Sequence, residues 1–104
     1  MIAGKPLRAW LDRADELGAQ GRWFDVHEEL EIPWKAAAGE EKTLLQGLIQ
    51  IAAGLHRLRL HPEKTGGAYY LLERGREKLS GTKNLMPPDA FPSLDAALKN
   101  VPAA

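Results

Sequence analysis

The chain contains no cysteine. Disulfides, thiolate zinc sites, cysteine nucleophiles and cysteine-held iron–sulfur clusters are therefore excluded. Net charge is also missing, because 14 Lys/Arg balance 14 Asp/Glu. No global field draws such a protein to nucleic acid or to an anionic membrane. Long hydrophobic runs are absent as well: Met1–Pro6 has no apolar core of signal-peptide length, and no segment approaches a bilayer span. A soluble, cytoplasmic protein without nucleic-acid or membrane partners is the expectation. No segment alternates polar and apolar residues with β-branched enrichment, which removes the strand signal. Gly66-Gly67 precedes no Lys-Ser/Thr pair, so no phosphate loop is present, and Ser80 and Ser93 sit in turn or cap contexts rather than at a nucleophile elbow.

What is present reads as helix. The 104 residues, 44% apolar and 27% charged, suit one folded domain over 1–104 that is too small for a large enclosed cofactor site. Leu7, Trp10, Leu11, Ala14 and Leu17 recur at steps of three and four, and Gly18 to Gly21 ends that helix. A second helix is predicted from about Arg22 to Ala38, and a third from Glu40 to about Leu60, stopped by Pro62. The third has a wide apolar arc, as a central helix with neighbours on several sides should. Gly47 and Gly54 lie on nearly one line of it, and close helix–helix approach would offset their poor helix propensity. A fourth helix is predicted from about Glu63 to Leu79, then an irregular stretch through Met86-Pro87-Pro88, then a short helix from Ser93 or Asp95. The fold class is an all-α, compact antiparallel bundle of about four main helices plus a short C-terminal one.

Charge is unevenly placed along the chain. Residues 1–56 carry six Lys/Arg and nine Asp/Glu, whereas residues 57–83 carry seven and three. Pairing of the basic segment with the acidic half of the same molecule is the expected use of this asymmetry.

Two helices place polar side chains where periodicity puts the core. At 100° per residue, Trp23, His27, Leu30, Glu31 and Trp34 share about a third of the circumference. Glu28 lies beside this stripe. On the third helix Gln46 and Gln50 form an i, i+4 pair at the edge of the apolar arc, and His56 lies inside the arc. Buried polar groups must be hydrogen-bonded, charge-paired or metal-bound. The bland reading is a satisfied network: Gln46 and Gln50 face His27 and Glu31 across the helix interface and fix register. A second reading is a divalent-metal site. His27-Glu28-x-x-Glu31 begins like the zincin motif with a carboxylate for the second histidine, so His27, Glu31 and His56 are candidate ligands and Glu28 a candidate base of a small hydrolase-like enzyme. A third reading is an interaction or ligand-binding module, in which Gln46, Gln50 and Trp34 contribute to a polar pocket for a protein or small-molecule partner. The openings Gly21-Arg22-Trp23-Phe24 and Gly66-Gly67-Ala68-Tyr69-Tyr70 resemble tetratricopeptide-like hairpins, but two units are too few for a solenoid. Seven aromatics and the wide apolar arc argue for self-association.

Three blocks with matching order and spacing carry a family resemblance. They are Gly21, Trp23, Phe24, His27, Glu28, Leu30, Glu31 and Trp34; then Leu45, Gln46, Gly47, Leu48, Ile49, Gln50, Ala52 and His56; then Gly67, Ala68, Leu71 and Leu72. Over about residues 18–80 the chain resembles the small prokaryotic helical proteins known as domain of unknown function 309. The resemblance implies a compact helical bundle and brings no activity with it. Asp25-Val26 departs mildly from the Glu-Ala of that pattern. Pro33 departs more, since it removes a backbone donor and pushes Ile32 away from helical angles, so a kink near Ile32 that re-aims Trp34 is expected.

Overall fold

The apolar stripes fold, in a computed structural model that describes residues 1–101, into α1 (Leu7–Ala19), α2 (Trp23–Ala36), α3 (Gly39–Leu60), α4 (Gly66–Gly81) and α5 (Pro92–Lys99). A single 3-10 turn, Lys83–Leu85, interrupts the stretch before α5, and no strand occurs among the described residues. Residues 102–104 of the expected single domain lie outside the described residues. Every predicted helix is present.

The predicted stripe of α1 is its inner face: Trp10, Leu11, Ala14 and Leu17 are buried. The helix is held at its start by a reverse turn in which the Trp10 indole donates to the Ile2 carbonyl at 2.8 Å. Its Asp15 carboxylate accepts from the Ser93 backbone N–H at 2.8 Å. That bond places a negative group at the positive end of α5, where the helix dipole favours it. α2 runs as one element through Pro33, whose ring is buried in the core, so the proline is accommodated inside the helix. Phe91 is buried at the start of α5 with a positive φ of 55°. Nothing in the periodicity marks that residue as core.

α3 is the central helix, packed against α2 and α4. Leu44, Leu45, Leu48, Ile51 and Ala52 are fully buried. On its α4 side the two backbones approach closely at glycines. A Cβ on Gly75 would stand 2.6 Å from the Gly47 carbonyl oxygen and 2.5 Å from Ile51 Cγ1. A Cβ on Gly54 would stand 3.0 Å from the Ala68 carbonyl oxygen. The expected close approach at Gly47 and Gly54 is thus present, with Gly75 as its counterpart on α4.

The charge asymmetry is resolved differently from the expectation. Within the basic segment the ion pairs are local, His61–Glu63 and Arg74–Glu77, and none joins residues 57–83 to the acidic half among the described residues. Arg59 instead donates to the Gly21 carbonyl, and Lys78 donates to an amide, Gln50. The acidic half pairs mainly with its own arginines, because the short i, i+3 and i, i+4 spacings bring them together first. Among the described residues two ion pairs are long-range: Arg13 reaches Glu29 of α2 at 4.0 Å, and Arg8 reaches further. It bridges Asp12 and Asp89, tying α1 to the segment before α5.

Two outcomes follow from this packing. Gly75→Ala is expected to destabilise the fold by about 1–3 kcal/mol through overpacking. Gly81→Ala on the same helix, where a Cβ meets nothing within 4 Å, is expected to be neutral or stabilising by up to about 1 kcal/mol; chemical denaturation checks both. Hydrogen bonding to Arg8, aided by a backbone bond and the guanidinium charge, holds the Asp89 carboxyl below its ordinary range. A lowered folded-state pKa means the tie is intact above the ordinary carboxylate range and lost as pH falls through the folded value. Carboxyl NMR should find Asp89 titrating late on acidification, and closer to its ordinary value in Arg8→Ala, where only the backbone bond still lowers it.

Candidate functional site

α2 and α3 are antiparallel, and the groove between them is where the predicted polar residues come together or fail to. Phe24, in the first turn of α2, projects outward and is 48% exposed. Its ring stacks on His27, one turn on, at a centroid distance of 5.8 Å. It also meets His56 of α3 at 5.2 Å, with the rings tilted by 49°. Phe24, His27, Ala53, His56 and Arg57 line a hollow of about 130 Å³. A broader open groove of about 460 Å³ adjoins it, sharing Phe24 and His56 and reaching Gly21, Arg22, Trp23 and Leu60.

The predicted network is not assembled in this way. His27 Nδ1 lies 3.8 Å from Glu31 Oε1, beyond hydrogen-bonding distance, and the two side chains are 28% and 40% exposed. His27 Nδ1 is nevertheless buried and has no hydrogen-bond partner. Neither glutamine closes the gap. Gln50 turns to α4, where Lys78 Nζ donates to its Oε1 at 2.9 Å. Gln46 is half-buried, and no hydrogen bond joins it to His27 or Glu31 among the described residues. The physical reason is that α3 has two flanks: the edge carrying Gln50 belongs to the α4 interface, not to α2. The expected buried His27–Glu31–Gln46–Gln50 cluster is corrected to a half-buried ledge of His27 and Glu31 with Gln50 committed elsewhere.

The other candidates divide likewise. His56 is half-buried beside Phe24 rather than a core histidine. Glu28 is exposed on α2. Trp34 is half-buried toward the far end of α2, with Lys42 Nζ 4.6 Å from the ring centroid, and its indole N–H is buried without an acceptor. His27, Glu31 and His56 do not form a three-ligand set: no group of three or more His, Asp or Glu side chains among the described residues converges to hold a metal ion. Sequence reasoning missed three lining residues as members of a site, Phe24, Ala53 and Arg57. Phe24 was legible, since it lies three residues before His27 on the same side of the helix. Arg57 falls in the basic segment 57–83, and only the tertiary packing brings it to the hollow.

With this geometry in place, the comparisons with known proteins are brief. The family model described as Domain of unknown function (DUF309) matches residues 11–69, more than half of the chain. The chain belongs to the DUF309 family. No curated protein and no solved structure matches it. The DUF309 match begins in α1 and ends in the first turns of α4, so it contains α2, α3 and every residue lining the hollow. It stops short of Leu71 and Leu72, which the motif reading had included. No helix among the described residues is long and apolar enough to cross a membrane.

Replacing His27 separates a structural network from a ligand site. An unpartnered buried nitrogen costs stability, and no hydrogen bond is lost when it goes. His27→Phe is therefore expected to leave the melting temperature unchanged or raise it, whereas a register-fixing network would show a loss of about 1–3 kcal/mol.

Proposed function

We propose that this DUF309 protein is a binding module, with the α2–α3 groove at Phe24, His27 and His56 receiving a small molecule or an exposed group of a protein partner. The observation that carries this reading is the buried, unpartnered Nδ1 of His27 beside a half-exposed Phe24 that also touches His56. A polar atom in that position is costly unless something bonds it. An exposed aromatic ring beside a hollow is the usual anchor for a ligand's apolar part. The exposed Phe24, Ile32 and Leu60 make self-association a further use of exposed apolar surface. The metal-dependent hydrolase alternative, with His27, Glu31 and His56 as ligands and Glu28 as base, has weaker support. It needs three converging ligands, and no group of three or more His, Asp or Glu side chains converges among the described residues.

A chemically mixed fragment set, followed through imidazole NMR resonances of the full chain, tests this reading. Fragments should move His27 and His56 together, with Phe24→Ala weakening them by roughly three- to tenfold. Binding confined to other surfaces, such as the apolar groove between Leu79 and Met86, would remove it. Stoichiometric zinc uptake that disappears in His27→Ala would return the metal reading.

A further inference from the structure

We infer that the open face of α2, α3 and α4 pairs with the same face of a second copy, about a two-fold axis lying along α3. This gives the protein-partner form of the binding-module reading, on which it rests, a definite partner. Three lines of residues make up the face. On α3, Gln46, Ile49, Ala53, His56 and Leu60 recur at steps of three and four, opposite the buried Leu44, Leu48, Ile51 and Leu55. The first four are half-buried and Leu60 is 58% exposed, so the described elements leave that line open. Phe24, Glu28 and Glu31 run along one edge, on α2. Gly67, Leu71, Arg74 and Lys78 run along the other, on α4. Gly67 adjoins the Arg57 guanidinium and Lys78 bonds Gln50, which places that line on the outer side of α3.

The two edges differ in sign. Among the described residues Glu28 has no ionic or hydrogen-bonded partner, and Glu31 has only His27, at 3.8 Å. Arg57 has none either, and Arg74 meets only Glu77, at 4.0 Å. A partner for this face needs a basic edge, an apolar middle and an acidic edge in the reverse order, and the chain's own face supplies them. A two-fold axis along α3 turns α4 of the second copy over α2, and α2 of the second copy over α4. An axis across the helices would set Glu28 and Glu31 against themselves, which like charge disfavours. The levels agree as well. Phe24 stands against His56, so Glu31, two turns on along antiparallel α2, is level with Ile49. Gly75 stands against Gly47, which puts Arg74 level with Leu48. Arg74 of the second copy thus arrives over Glu31. Beyond them the signs exchange in step, Lys35 following Glu31 and Glu77 following Arg74. Between the edges the hollow beside Phe24 is almost wholly apolar, and Ile49, Ala53 and Leu60 continue it. With 14 acidic and 14 basic residues per chain, two copies meet no net repulsion.

Sedimentation of the full-length chain between about 1 and 200 μM tests the pairing. The wild type should pass from monomer to dimer, and Glu31→Arg or Arg74→Glu should each weaken the dimer by at least about tenfold. Mixing these two variants, or combining both changes in one chain, should restore it, because each contact then regains opposite signs. A wild type that stays monomeric throughout, a dimer indifferent to both reversals, or reversals that do not rescue each other would overturn the inference. A mixture of labelled and unlabelled wild type gives a readout that needs no variant. The Ala53 methyl should show cross-relaxation to Ile49 or Ala53 of the second copy, and a dimer lacking that peak is joined elsewhere and also overturns it. The binding-module reading fails separately: fragments that still move the His27 and His56 imidazoles in monomeric Arg74→Glu leave it standing, whatever the dimer result.

Discussion

The close contact of α3 with α4 decides how the rest of the molecule is arranged. Gly47 and Gly75 bring two backbones to a distance that no side chain would allow, and Gly54 repeats the contact against Ala68 and Leu72. Helices that meet this way bury whatever lies on the flanks of the contact. Gln50 and Lys78 are such flanking residues, and they satisfy each other at 2.9 Å. An amide that might have bonded a histidine on α2 is thereby committed to α4. The polar edge of α2 is left beside an open groove, with His27 and Glu31 half-buried.

The same arrangement explains the charge. Acidic residues of α1 and α2 are spaced to meet arginines of their own helices, and short-range pairs form without any cost of chain ordering beyond the helix itself. Among the described residues the basic run of α3 and α4 forms only local ion pairs, and Arg59 and Lys78 donate to a carbonyl and an amide instead. Arg57 is the consequence nearest to the hollow. Its guanidinium packs beside Gly67 at the first turn of α4, without an acidic partner among the described residues.

Much of the fold was legible in the sequence because periodicity reports which face of a helix is dry. The stripe Trp10, Leu11, Ala14 and Leu17, and the central position of α3, are of that kind. The glycine line at 47 and 54 also announced a close approach, although its counterpart at Gly75 required the packed structure. Periodicity fails at a different question, namely which neighbour a given face meets. Gln46, Gln50 and His27 sit at the angles expected of them, yet an angle around one helix does not say whether α2 or α4 lies opposite. Phe91 was hidden for another reason: it belongs to a turn with a positive φ of 55° and has no periodic partners. The departure at Pro33 was visible, but α2 continues through it as one helix with the ring buried.

Proton–proton proximities in solution test the governing contact most directly. The account predicts a strong cross-relaxation peak between the α-protons of Gly47 and Gly75, and none between the Gln50 side-chain amide and the His27 ring. The reverse pattern, an amide-to-imidazole peak without the glycine pair, would contradict it and restore a closed polar network between α2 and α3.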